Sequence, residues 1–207
     1  MNEAKKAGVK HVIYSKLANV KEATNGELNV PHFTQKAEAF DYLQTLGFES
    51  VTAIEPAAYY SNWFKIMKPA EQGDGSLLWT WTGKGKPFSH FDAQTGTGPS
   101  VLEAAKNPTK YNGKCILLQA ETLSGDEVMS LLSQKLGKPC RIQYLKELEY
   151  SKLFPGAEEL ANMVRWFDDY GYYGPETNTR QHNSGKEIGG LLSFQEWLDS
   201  GAYEQYL

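Results

Sequence analysis

Nowhere in the 207 residues does an apolar run approach the ~20 consecutive positions that a membrane-spanning helix requires. The first residues also lack the basic-then-apolar pattern of a secretory signal. Positive charge is not in excess: 21 lysines and arginines against 25 aspartates and glutamates leave a formal net charge of −4. That balance argues against direct binding to nucleic acid, which calls for a basic surface. Cysteine is scarce. Cys115 and Cys140 stand in separate apolar contexts without metal-ligand spacing, and they read as buried thiols in a reducing compartment rather than as a disulfide. No Gly-x-Ser-x-Gly nucleophile elbow occurs, and no glycine run continues into the Gly-Lys-Ser/Thr of a phosphate loop. His90, His182 and the scattered carboxylates lack the spacing of a metal site. Repeats and low-complexity tracts are also absent.

Aromatic residues, by contrast, are plentiful: five tryptophans and twelve tyrosines suffice to line a pocket as well as fill a core. Along the chain, "NEAKKAG" reads as the last turns of a helix stopped at Gly8, and "VKHVIYS" as a buried parallel strand. "ANVKEATNGELNVPH" is a polar loop, and "FTQKAEAFDYLQTLG" a helix with Phe33, Ala37, Phe40 and Leu43 at helical spacing. "ESVTAIEP" is a strand stopped by Pro56, followed by an aromatic connection and then by a hairpin or two short strands up to "FSHF". "DAQTGTGPSVLEAAKNP" turns through glycines into a short helix with Pro99 near its first turn and Asn107-Pro108 at its end. The strands "GKCILLQA" and "CRIQYL" flank a helix that Ser124 and Glu127 can cap together, and two more helices, "PGAEELANMVRWFDDYG" and "SFQEWLDSGAYEQYL", follow. Strands alternating with helices predict an α/β fold with parallel pairing.

Two clusters carry candidate chemistry. In "PHFTQKAEAF", Lys36 lies one turn into the helix on its polar side and His32 four residues earlier, just before the helix starts. An ammonium one turn from a proton donor can lower the donor's pKa and also hold a ribose hydroxyl. On spacing alone, a solvated lysine near a loop histidine accounts for the same residues. In "EPAAYYSNW", Tyr59, Tyr60, Asn62 and Trp63 follow the carboxyl end of a strand, where open parallel sheets bind ligands. Asn62 both donates and accepts, which suits a carboxamide or a hydroxyl; aromatic packing between lobes is the plain alternative. The glycines of "TGKGKP" and "QTGTGPS" read as turns, and Ser15 either faces a ligand or hydrogen-bonds at its strand end.

The ordered segments "AKKAGVKHVIYSKL", "PHFTQKAEAFDYLQTLG", "VTAIEPAAYYSNW", "FDAQTGTGPSVLEAAKNPTKYNGK", "LSGDEVMSLLSQKLGKP" and "LLSFQEWL" make the chain similar to the NmrA-like family, an atypical branch of the short-chain dehydrogenase/reductases. The resemblance spans nearly the whole chain. It implies an incomplete Rossmann-like parallel sheet with a smaller α/β carboxyl-terminal lobe for a substrate or partner. Residues 1–64, rejoined by 91–120, would form the Rossmann part, and 65–90 with 121–207 the lobe. It also implies that the glycine-rich dinucleotide turn belongs upstream of Met1, so that binding of NADP (or NAD) is impaired.

By the same resemblance, Lys36 faces the nicotinamide ribose and Asn62 lies near the nicotinamide, with Lys36 or His32 handling the proton; Tyr59 and Ser15, at the strand ends, are the further candidate cofactor contacts. Asp92, Thr97 and Gly98 match an architectural segment. Three residues depart from the pattern. His32 stands in place of the usual catalytic tyrosine, Glu55 where relatives carry a basic or apolar residue, and Gly96 in place of an aspartate. The implied activity is NADP-dependent oxidoreduction of a small molecule, or else a non-catalytic NAD(P) redox sensor that holds a transcription factor and acts as a negative regulator. A cytoplasmic or nuclear location follows, with no membrane contact, and with an oligomeric or partner-dependent state because the remaining sheet would expose apolar edges.

Overall fold

The computed structural model describes residues 1–175 and 183–206. The chain opens with α1 (Asn2–Lys6), which places Glu3 in its first turn and Lys5 and Lys6 in its last, complementing the helix dipole. Gly8, at φ +80°, turns the backbone toward β1 (His11–Ser15). Then come α2 (Val20–Ala23), α3 (Pro31–Thr45), β2 (Ser50–Pro56), β3 (Ala58–Tyr59), α4 (Asn62–Lys65), β4 (Ala70–Glu71), β5 (Leu77–Thr82) and β6 (Phe88–Phe91). The middle of the chain forms α5 (Ala93–Lys106), α6 (Pro108–Tyr111), β7 (Cys115–Leu118), β8 (Glu121–Leu123), α7 (Gly125–Leu136) and β9 (Cys140–Leu145). The rest comprises α8 (Glu147–Tyr150), α9 (Ala157–Tyr170), β10 (Asn183–Ser184), α10 (Gly185–Ile188) and α11 (Phe194–Asp199).

The largest sheet is parallel throughout, in the order β1-β2-β7-β10. Alternation along its strands sorts the core into two layers. Val51, Ala53, Cys115 and Leu117 pack under Phe40 and Leu43 of α3, while Ile54, Ile116 and Leu118 belong to the larger core on the other side, with Ala104 of α5. Every residue of β2 and β7 is buried. β1 pairs with a strand on one side only among the described residues, and its residues are half-buried or exposed. Two three-stranded sheets complete the architecture: β3-β6-β8, with β3 parallel and β8 antiparallel to β6, and β4-β5-β9, with β9 parallel and β4 antiparallel to β5. The fold is therefore mixed α/β with parallel pairing, as the alternation of elements predicts. Both cysteines are buried thiols.

Several local expectations need correction. The polar loop after β1 contains α2, because the Asn19 side chain accepts from the Glu22 N–H and caps a single turn. α3 begins at Pro31, whose fixed φ suits a first helical position, so His32 lies inside the first turn and not ahead of it. The "QTGTGPS" stretch is helix rather than turn. Asp92 caps α5 by accepting from the Gln94 and Thr95 N–H groups, which leaves Pro99 in the helix interior. Gly96 packs closely there, since a Cβ would meet the Leu191 side chain at 2.5 Å and Phe91 at 3.0 Å. The expected hairpin or two short strands before "FSHF" is met by the antiparallel pair β4 and β5, with β6 a separate short strand in another sheet. The last helix stops at Asp199; Gly201 (φ +76°) and a 3-10 turn at Glu204–Tyr206 follow.

In the "TGKGKP" turn, Gly83 has φ +90°, and a Cβ there would come within 2.5 Å of Val164 and 2.6 Å of Asp168, both on α9. The Asp168 carboxylate accepts from the Lys84 N–H at 2.7 Å, tying this turn to α9. Gly83→Ala is expected to cost about 1–3 kcal/mol through strain; an unchanged urea midpoint would contradict that.

Candidate functional site

The site is assembled where β1 and β2 end. β2 terminates at Pro56, which has no N–H to continue the ladder, and Ala57 to Tyr59 carry the chain into α4, with Asn62 as its first residue. On α3, burial of Phe33, Ala37, Phe40 and Leu43 fixes the helix rotation, so that His32 and Lys36, one turn apart, face a common cavity of about 290 Å³. Tyr59 and Asn62 line the same cavity. Ser15 is outside its lining but joins it indirectly, because Lys36 Nζ donates to Ser15 Oγ at 3.4 Å. The rest of the wall is apolar, with Met67, Trp81, Phe88, Met163 and Phe167 prominent. Burial pushes the Tyr59 phenol above its usual range, so it stays protonated as a donor.

Glu159, in the first turn of α9, was not identifiable from sequence spacing, since it lies 127 residues from its partner. α3 has no side-chain cap of its own, its N-cap being Val30. The Glu159 carboxylate fills that role from α9, accepting from the His32 N–H at 3.1 Å. The same oxygen lies 2.5 Å from His32 Nδ1, and this contact holds the Glu159 carboxyl below the usual carboxylate range. Two further contacts continue along α9: Asn162 Nδ2 donates to the Asn29 carbonyl at 3.4 Å, and Arg165 pairs with Glu27. Together they hold α9 against residues 27–32, with Leu160 and Met163 of the same helix set into the cavity wall.

A second, polar cavity of about 220 Å³ lies nearby, lined by Lys16, Glu55, Asp41 and Trp166 among others. There the Lys16 ammonium sits 3.9 Å from the Glu55 carboxylate, both side chains being buried, and the Cys115 thiol donates to the same carboxylate at 3.2 Å. His90 is a core residue, hydrogen-bonded to Trp63 and to the Phe88 carbonyl, and His182 lies outside the described residues. Among the described residues no three potential metal ligands converge, and no helix is long and apolar enough to cross a membrane. None of the glycines of the two rich stretches lines the main cavity.

Comparison with known proteins adds relatives and fold neighbours. An NmrA-like family domain-containing protein of Dictyostelium discoideum is 26% identical over 211 residues, covering 97% of this chain and 67% of that protein. The nitrogen metabolite repression protein nmr of Neurospora crassa is 29% identical over 147 residues, 67% of this chain and 30% of its own length. An NmrA-like family domain-containing oxidoreductase, FrzB of a Cladobotryum species, is 29% identical over 153 residues, 66% of this chain and 45% of its own. The chain thus spans two thirds of the first relative and less than half of the fungal two. In fold it is similar to the negative transcriptional regulator NmrA in complex with NADP, with a TM-score of 0.76 at 23% identity, over 95% of this chain and 66% of that one. It is also similar to the NADPH-dependent quinone oxidoreductase QOR2 of Escherichia coli, with a TM-score of 0.67 at 19% identity, over 97% and 69%. The sequence pattern of the NmrA-like family matches residues 1–199, and the chain therefore belongs to the NmrA-like family.

Proposed function

We propose that this chain is an NAD(P)-linked member of its family, related to the NADP-dependent oxidoreductases, and that its cavity receives the nicotinamide end of the cofactor together with a small, largely apolar carbonyl compound. One observation carries the reading: His32, Lys36, Tyr59 and Asn62 surround a single apolar-walled cavity at the carboxyl ends of parallel strands. If residues 1–64 with 91–120 form one unit and 65–90 with 121–207 the other, both contribute walls to it. A cytoplasmic or nuclear setting suits this reading.

The residues present fit the nicotinamide-ribose end. Lys36 offers an ammonium beside Ser15 for ribose hydroxyls, and Asn62 an amide for a carboxamide. They do not fit the pyrophosphate, for which no glycine-rich cradle faces the cavity among the described residues. A nicotinamide bound there would supply hydride. His32 would deliver a proton to the oxygen of the ligand, Lys36 would favour negative charge on that oxygen, and the aromatic wall would exclude water.

Reduced nicotinamide mononucleotide, which has no pyrophosphate, is therefore expected to bind with a Kd on the order of millimolar, and NADPH less than about tenfold more tightly. Chemical-shift titration should move the Lys36 and Asn62 signals, and Lys36→Ala should weaken binding about tenfold, ~1.4 kcal/mol. NADPH binding at micromolar Kd or tighter would refute the lack of a pyrophosphate anchor. Shifts that avoid Lys36 and Asn62 would refute the site. A second reading, a non-catalytic sensor that holds a transcription factor, is favoured by the exposed apolar side chains of Leu148, Leu153 and Phe154 before α9. Cofactor binding without turnover of any carbonyl compound would support it.

A further inference from the structure

We propose that Glu159 is a positioning residue that fixes the tautomer and direction of the His32 imidazole, so that Nε2 is the nitrogen that exchanges a proton with a ligand in the cavity. Resting on the reading above for the identity of that ligand, the inference itself stands on geometry. A carboxylate oxygen 2.5 Å from Nδ1 accepts only if Nδ1 carries hydrogen. The same oxygen accepts from the His32 N–H at 3.1 Å, so ring and backbone are held by one group and the imidazole cannot flip without losing a contact. Nε2 has no hydrogen-bond partner among the described residues, and His32 lines the cavity.

The ladder from Asn162 to Asn29 and from Arg165 to Glu27 keeps Glu159 at this distance by fixing α9 against the start of α3. When His32 is doubly protonated, Nε2–H is the proton it gives to a ligand oxygen. The ring left behind is the Nδ1–H form that Glu159 already accepts from, so the donation needs no rearrangement. Charge balances, because the imidazolium becomes neutral as the oxygen gains the proton, and the carboxylate stays ionised throughout. Imidazoles in water favour the opposite, Nε2–H, tautomer, which makes the effect visible without any ligand.

Long-range 1H–15N spectra of the full, histidine-labelled chain test it, recorded at a pH where the ring carries one proton and assigned with His32→Gln. The expected result is an Nδ1–H pattern for His32, retained in Glu159→Gln, whose amide oxygen still accepts, and reverting toward Nε2–H in Glu159→Ala. An Nε2–H pattern in the unaltered protein overturns the proposal, as does a pattern that Glu159→Ala leaves unchanged. If Glu159→Ala does not fold, the tautomer of the unaltered protein decides. Because this readout needs no cofactor, it separates from the titrations above: an Nδ1–H ring beside silent nicotinamide titrations leaves the positioning role intact and refutes the cofactor site, and the converse result does the reverse.

Discussion

Replacing Glu55 with alanine is expected to destabilise the protein by about 3–5 kcal/mol. The side chain is 4% exposed and its only ion-pair partner among the described residues, Lys16, is 7% exposed. Removing the carboxylate would leave a buried ammonium without its ion-pair partner, the Phe40 ring lying 5.9 Å from Nζ. A cation–π contact, at ~0.5–2 kcal/mol, does not replace a counter-charge. The hydrogen bond from the Cys115 thiol to that carboxylate would go in the same change. The double variant Lys16→Met/Glu55→Leu should recover most of the loss, since apolar residues of similar volume remove both desolvation costs. Urea unfolding checks both. A loss below ~1 kcal/mol for Glu55→Ala would mean that water entering through the adjoining 220 Å³ cavity already hydrates Lys16.

Acidification is expected to weaken the fold well before carboxylates titrate. His90 is fully buried, and burial pushes its pKa down to about 3. The hydrogen bonds require the neutral ring. Trp63 Nε1–H can only donate, and it points at His90 Nε2 from 3.3 Å; Nδ1 then donates to the Phe88 carbonyl at 2.8 Å. A proton on Nε2 would oppose two N–H groups. The sign follows: the unfolded chain takes up the proton near pH 6.5 while the folded one resists it down to about 3. The contribution is thus complete above pH 6.5 and is lost as pH falls through that window, at about 1.4 kcal/mol per unit, or ~3 kcal/mol by pH 4. His90→Gln should start less stable but lose this slope. Parallel pH dependences for the two proteins between pH 6.5 and 5 would rule the histidine out.

What was legible in the sequence is what local rules control. Ser124 and Glu127 announce their reciprocal cap by spacing, and the structure forms it, with Ser124 N–H to Glu127 at 2.7 Å and Glu127 N–H to Ser124 at 3.2 Å. The four-residue step from His32 to Lys36 puts both on one helix face only because Pro31 starts α3 ahead of His32, a boundary that the sequence alone places too late. Glu159 was invisible because nothing near it in sequence says that α9 packs beside the start of α3. The "QTGTGPS" stretch misled for a related reason: glycine usually marks a turn, but Gly96 lies in the helix that Asp92 caps, packed against the Leu191 and Phe91 side chains. Tertiary contact overrides local preference at such points.

The tryptophans have one practical consequence. Trp63, Trp79, Trp166 and Trp197 are fully enclosed, while Trp81 alone of the five borders the 290 Å³ cavity, its ring set edge-on to Tyr150. Intrinsic emission should therefore be dominated by four indoles that a molecule in the 290 Å³ cavity does not touch. Contact quenching by a molecule in that cavity would reach the detector through one chromophore, and Trp81→Phe would separate that signal from the background.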